Sequence, residues 1–394
     1  MKPRVTIPLV LVLLALWVFM WMGDGKWIAP ENGSLPELPM RVSGRMCCVF
    51  GVDLQAKFLE IPLPFLNVSR VDDIENVGPH RYDSAWGALD DERGGAFPFG
   101  EDNAYVYTCR GGFIDVAHLR EQADWTSLFI SRLHPILETG GTIELPDEGS
   151  HRQLVARPVS RDLIERVGRD ELLVALSQWA AYQVSVWHEF IQWYSVSLLE
   201  QFPETASAFS PDDPYTNAVG TRMMDGFDFR AALVSEKVYN RHLDALIAGS
   251  LEAYEAAPRE LGDRLMRALD QYWWDGNERL PERGVTMRRL LDVDHEVAPW
   301  LFPASRGTSQ LLADLEAACG ATPRPLPVRI VDEVAGVPIR ELLSYQITMN
   351  GRLDPEPDFA DVLHGFDQQF FPLLIERIRE DNRRRFGPRA DRPD

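Results

Sequence analysis

The residue types best suited to chemistry in this 394-residue chain are His188 and Glu189, adjacent in Trp187-His188-Glu189-Phe190-Ile191-Gln192-Trp193-Tyr194. Around them Leu172, Leu176, Trp179, Gln183, Trp187, Ile191, Tyr194 and Leu198 recur at three- and four-residue steps, which predicts a helix over 170–201, apolar almost all the way round. Such a helix is buried, and an imidazole and a carboxylate buried with it are costly unless each is paired or holds a metal. Ser177, Ser185, Gln192 and Ser195 lie near His188 and leave room for a ligand, a metal or another helix. The plainer alternative is a core histidine bonded to a backbone carbonyl, with Glu189 paired to an arginine. The pair is also the first half of the zinc-protease pattern His-Glu-x-x-His, but Gln192 occupies the second histidine position. Amides ligate zinc poorly, which argues against a standard zinc protease.

A second constellation lies in Tyr107-Thr108-Cys109-Arg110-Gly111-Gly112-Phe113-Ile114-Asp115-Val116-Ala117-His118. It has the pattern of a strand, a glycine turn and a helix start, which puts Asp115 and His118 on one helical face. That spacing suits ligation of one cation or an oriented acid–base pair; a helix cap and a core histidine are the alternatives. Ser210-Pro211-Asp212-Asp213-Pro214-Tyr215-Thr216-Asn217 is a helix start in which Ser210 caps, though Asp212, Asp213 and Asn217 could offer oxygen ligands. His80 sits in a turn, His295 in an acidic surface patch, and His134, His151, His242 and His364 have no ligand-like surroundings. The candidate centre is therefore a divalent cation, zinc foremost, held by Asp115, His118 and His188, with Glu189 as general base or fourth ligand.

The elements that must position these residues are mostly helical. Helices are expected over 235–256, 259–274, 281–291, 295–302, 308–319 and 358–385, and strands over 46–54, 104–108, 327–331 and 337–342. The fold class is α+β, predominantly α-helical: a single large compact domain behind an N-terminal hydrophobic anchor. With 45% hydrophobic residues, 11 Trp and 19 Phe, the chain can fill a large core, and neither repeat nor flexible linker divides it. Residues 1–23 are expected to be a signal anchor or a cleaved signal peptide, 24–45 a tether, 46–386 the exported domain and 387–394 a polar tail. The anchor expectation rests on Lys2 and Arg4 followed by an uncharged apolar run over 5–22 with no small-residue cleavage site after it. The implied location is the inner membrane, with the body in the periplasm.

A net charge of -20 disfavours nucleic acid as a partner. The basic run 377–389 is expected to be a solvated helix end. In an exported chain the four cysteines permit disulfides; at most one of the adjacent Cys47 and Cys48 would reach Cys109, a pairing that sequence leaves open, and Cys319 is expected to be a lone thiol at a helix end.

Taken together, Cys47-Cys48, Gly51-Val52-Asp53-Leu54, Ile61-Pro62, Gly78-Pro79-His80-Arg81-Tyr82, the segment from Tyr107 through Asp115 with His118 and Asp124-Trp125, His188-Glu189 and Ser210-Pro211-Asp212-Asp213 resemble an exported bacterial family, the domain of unknown function DUF4056. The resemblance spans about 47–220 and implies export to the envelope and a shared residue constellation, without an activity. Two functional expectations follow from the residues themselves. One is a metal-assisted hydrolase; the other is a non-catalytic envelope binding or structural protein whose His-Glu pair is satisfied internally.

Overall fold

The computed structural model describes residues 27–31, 33–40, 45, 49–58, 61–63, 70–82, 101, 103–194, 205–349 and 365–394. A short antiparallel hairpin, Ala56–Phe58 (β1) with Ile61–Leu63 (β2), precedes the segment that builds the site. There Tyr105–Thr108 (β3) pairs antiparallel with Gly112–Asp115 (β4), in a register that sets Tyr105 opposite Asp115. All residues of both strands are buried, so the hairpin shows no polar–apolar alternation. Gly112 has φ +70°, and a Cβ there would run into the Trp300 carbonyl oxygen, so glycine alone fits the turn.

Asp115 ends β4 and caps the following helix, Val116–Leu133 (α1), accepting the Ala117 N–H at 2.8 Å. A second hairpin, Gly141–Leu145 (β5) and Ser150–Ala156 (β6), leads to Arg161–Val167 (α2) and the long helix Arg169–Trp193 (α3). Asp213–Arg222 (α4), Phe229–Ala232 (α5), Glu236–Ala253 (α6) and Arg259–Ala268 (α7) follow. The remaining elements are Glu296–Val297 (β7), Ser309–Cys319 (α8), Val328–Arg329 (β8), Glu333–Val334 (β9), Val337–Pro338 (β10), Leu343–Met349 (β11), Phe366–Asp367 (β12) and Phe371–Phe386 (α9).

The expected α+β class with helix predominant holds: nine α-helices accompany several small sheets among the described residues. The largest sheet is antiparallel, in the order β12-β11-β6-β5. The centre is helical, with α1 packed against α3 and α4, and α3 against α4. Gly220 lets α1 and α4 approach: a Cβ there would lie 2.8 Å from Gln122 Cβ and 3.2 Å from Leu119 Cα. Buried apolar side chains form one cluster, from Trp27 to Ile378.

Several expectations are corrected. Cys109 is bonded to Cys319, with the two Cα atoms 5.2 Å apart, so Cys319 is no lone thiol and the pairing of Cys109, left open by the sequence, is settled. The reason is tertiary: α8 packs on α7, which packs on β3, and this carries the end of α8 to the end of β3 across 210 residues of sequence. Residues 46–48 lie outside the described residues, and 49–54 form no strand. The helix expected over 281–291 is only a 3-10 turn at Arg283–Val285, and the one expected over 295–302 is the strand β7 followed by irregular chain. Arg289 explains the first difference: its backbone N–H bonds the Ala390 carbonyl and its guanidinium serves loop carbonyls, bonds that a continuous helix would not make. The polar tail 387–394 is docked, with Asp391 bonded to Arg379 and Arg383. Among the described residues no helix is long and apolar enough to cross a membrane; the expected anchor lies outside them.

Candidate functional site

The close approach of α1 and α4 sets His118 against the first turns of α4. Its Nδ1 lies 2.9 Å from Asn217 Oδ1, which also accepts the Gln122 amide N–H at 3.2 Å. An amide oxygen accepts and does not donate, so His118 carries its proton on Nδ1 and, in the neutral ring, its lone pair on Nε2. That nitrogen faces Asp213 Oδ1 at 3.4 Å and Asp115 Oδ2 at 4.0 Å. A protonated ring pairs with these carboxylates, whereas a neutral one presents them with a further acceptor that a proton or a cation must bridge.

Two further carboxylates belong to this region. Glu189 projects from α3 and accepts the Phe209 N–H at 2.6 Å through Oε2. Asp212 accepts the Ser210 hydroxyl at 2.9 Å, while the Ser210 N–H donates to Asp213 Oδ2 at 3.1 Å. The N-cap of α4 is thus Asp212, and Ser210 orients the two aspartates instead of capping. Their second oxygens, Glu189 Oε1, Asp212 Oδ2 and Asp213 Oδ1, are buried with no hydrogen-bond donor among the described residues. Burial, with Asp213 next in weight, pushes the Glu189 carboxyl up to about 8. Burial likewise raises Asp212, helped by Asp213 and Asp115, and raises Asp213 against the opposing pull of His118.

His188 is placed differently. Its Nδ1 is bonded to Glu148 and its Nε2 lies 2.9 Å from the Gln192 amide nitrogen. Glu148 also pairs with Arg152; burial alone would raise its carboxyl, but Arg152 and His188 outweigh burial and hold it at about 2. Of the four expected site residues, then, Asp115 and His118 are brought together and Glu189 feels the charges of Asp213 and His118, whereas the ring of His188 is turned to Glu148. Among the described residues no three His, Cys, Asp or Glu side chains are grouped closely enough to hold a metal ion as they stand.

Residues 35–303 match the family described as "Protein of unknown function (DUF4056)". The chain belongs to that family. No curated protein and no solved structure matches it. The family segment includes every residue of the site, whereas Cys319 and the docked tail lie beyond it.

Arg289, also within the family segment, lies near enough for its charge to act on Asp213 and Glu189. Fully buried, it donates to the carbonyls of Ala208, Thr205, Arg283 and Thr286 and so holds the loop that presents Phe209 and Ser210. Nothing near Arg289 in sequence marks it. Asn217 and Asp213 are visible as oxygen donors in the sequence, but only the helix crossing at Gly220 pairs them with His118.

His80 and Asp124, both in the family-like motifs, fall in a separate buried cluster. His80 lies 3.1 Å from both Glu101 Oε1 and Asp124 Oδ1, Arg45 bonds the same two carboxylates, and the Tyr239 hydroxyl donates to Asp124 at 2.6 Å. Burial would raise Glu101, yet Arg45 and Arg120 outweigh it and hold its carboxyl well below the usual range. Here each carboxylate meets an arginine, whereas the second oxygens of Glu189, Asp212 and Asp213 have no hydrogen-bond donor among the described residues.

Proposed function

We propose that the protein is an exported envelope hydrolase whose centre is a divalent cation bound by His118, Asp115 and Asp213, with Glu189 as general base. The observation that carries this reading is His118 Nε2 lying 3.4 Å from Asp213 Oδ1 and 4.0 Å from Asp115 Oδ2, in a region where Glu189 Oε1, Asp212 Oδ2 and Asp213 Oδ1 are buried with no hydrogen-bond donor among the described residues. Donors 2.0–2.1 Å from a tetrahedral zinc stand roughly 3.4 Å apart. The His118–Asp213 separation of 3.4 Å has that length already, and the 4.0 Å to Asp115 needs a shift of about half an ångström. The cation would supply Lewis acidity. Glu189 would take the proton of the attacking water and return it to the leaving group as the scissile bond breaks. His188, oriented by Glu148, stands beside the site as a neighbouring charge and not as a ligand. Peptides and envelope polymers are the substrate classes to screen.

The same proposal places one domain over 46–386 behind the anchor, in the periplasm. The continuous apolar cluster favours one domain, and the Cys109–Cys319 bond suits an oxidising compartment. The second reading, a non-catalytic envelope protein, is favoured by the depth of the site, since His118 is 4% exposed and Asp115 and Asp213 not at all.

Elemental analysis separates the two. Full-length protein purified without chelator or nickel resin should carry near-stoichiometric zinc, manganese or iron that His118→Ala and Asp213→Asn both abolish. A folded, metal-free wild-type protein that takes up none of these ions would sink the hydrolase and leave the binding or structural reading.

A further inference from the structure

Ile28, Val234 and Leu373 are the large apolar residues exposed among the described ones, and the first two are neighbours. Ile28 forms a β-bridge with Ser235, the Ala29 N–H donates to Val234 O at 2.9 Å, and the Glu236 N–H donates to Trp27 O at 3.3 Å. Trp27 is buried against the rings of Tyr82 and Tyr239, so this attachment of the N-terminal segment to the body is firm. The apolar run ends at Met22. Five residues of chain reach at most roughly 18 Å, so an anchored chain cannot hold this point of the body far from the bilayer.

The adjoining surface has matching chemistry. Along α6 the exposed positions before Glu252 are Lys237, Arg241, His242, Ala245 and Gly249, cationic or small, in a chain of net charge -20. The acidic residues of this stretch are half-buried, and Asp244 accepts the His80 N–H at 2.6 Å. Of the chain's four lysines, Lys2, Lys26, Lys57 and Lys237, the first two flank the apolar run and Lys237 lies on this face.

We propose that this face rests on the membrane that holds the anchor, with Ile28 and Val234 at the headgroup–acyl boundary and Lys237 and Arg241 on anionic phospholipid headgroups. The inference rests on the anchor reading above and is independent of the metal centre. Exposed apolar side chains gain from burial at the interface, and two cations beside them add attraction to anionic lipid that zwitterionic lipid does not supply.

The test uses the full chain with Cys47→Ser, Cys48→Ser and Val234→Cys, labelled at the new thiol with an environment-sensitive fluorophore and reconstituted into phosphatidylcholine vesicles with or without phosphatidylglycerol. Brominated acyl chains should quench the label at least ~2-fold with phosphatidylglycerol present, and Lys237→Glu with Arg241→Glu should reduce that quenching. Ile28→Cys gives the same readout if the first label disturbs folding. Protein that resists alkaline extraction but shows no quenching at either position, or equal quenching in both lipids, overturns the proposal. Release by alkaline extraction overturns the anchor reading, and the proposal with it.

Discussion

Replacing Glu189 by glutamine should make the metal-free protein more stable at pH 8. Burial and the neighbouring Asp213 push the Glu189 carboxyl from its ordinary 4.5 up to about 8. Between those values the folded state keeps a proton that the unfolded chain has released. The stability from this group is therefore complete below pH 4.5 and lost as pH rises through 8. The whole interval corresponds to at most about 5 kcal/mol. Asp212 and Asp213 compete for the same compensation, which spreads the titration over three groups, so about 3 kcal/mol is the expectation for Glu189 alone. The glutamine side chain would keep the volume and the acceptor for the Phe209 N–H, so the substitution removes little besides the charge. Urea unfolding in chelator should show wild type losing stability between pH 5 and pH 8 and E189Q losing much less, the variant ending about 2–3 kcal/mol above wild type at pH 8. Zinc or manganese at a hundred times its dissociation constant should restore about 2.7 kcal/mol to wild type. If E189Q is the less stable protein across this range in chelator, Glu189 is content as an anion and the case for an uncompensated site fails.

Three further outcomes are expected. Asn217→Ala removes the group that fixes the His118 proton on Nδ1 and should weaken cation binding by about 10–100-fold in a calorimetric titration, with the far-ultraviolet circular dichroism unchanged. Cys319→Ser opens a closure between residues 210 apart and should cost about 2–5 kcal/mol in urea unfolding; dithiothreitol should lower wild type by a similar amount and leave the variant unaffected. Arg289→Met leaves the carbonyls of Ala208, Thr205, Arg283 and Thr286 without their buried donor and should cost about 3 kcal/mol or more, with faster proteolysis in the 205–210 loop; unchanged stability would remove Arg289 as its brace.

The helices with strong apolar periodicity and clear caps are legible in sequence. α3 starts one residue from its expected position, α1 begins after the Asp115 cap, and α8 lies where a threonine cap and a terminal glycine bound it. The sheet is not legible: β5, β6, β11 and β12 have no expected counterpart. Along β6 the burial alternates, but the half-exposed positions hold Gln153 and Val155 and the buried ones include Ser150 and Arg152, so side-chain polarity does not follow the pleat. Arg152 is buried because Glu148 and the Pro146 carbonyl receive its guanidinium, a pairing that no window of local sequence reveals.

For the site, residue type is legible and partnership is not. Asp115 and His118 are three apart on adjoining elements, a spacing that local geometry converts into proximity at 4.0 Å. His188 and Glu189 are adjacent, yet successive helical residues point about 100° apart, so one meets Glu148 and the other the aspartates of α4. Adjacency in sequence therefore does not give the two side chains the same hydrogen-bond partners. The more instructive comparison is between the two buried charge clusters. Around Asp124 two carboxylates meet Arg45, His80 and a tyrosine hydroxyl, and that arrangement costs the fold little because every charge has its opposite. Around His118 the second oxygens of Glu189, Asp212 and Asp213 have no hydrogen-bond donor among the described residues, and Arg289, whose charge acts on Glu189 and Asp213, gives its donors to backbone carbonyls instead. The interior accommodates guanidinium groups elsewhere, so size alone does not explain the difference. Buried carboxyl groups that hold their protons for want of a partner, set near an imidazole, are what a protein needs if a cation is to arrive from outside and displace those protons.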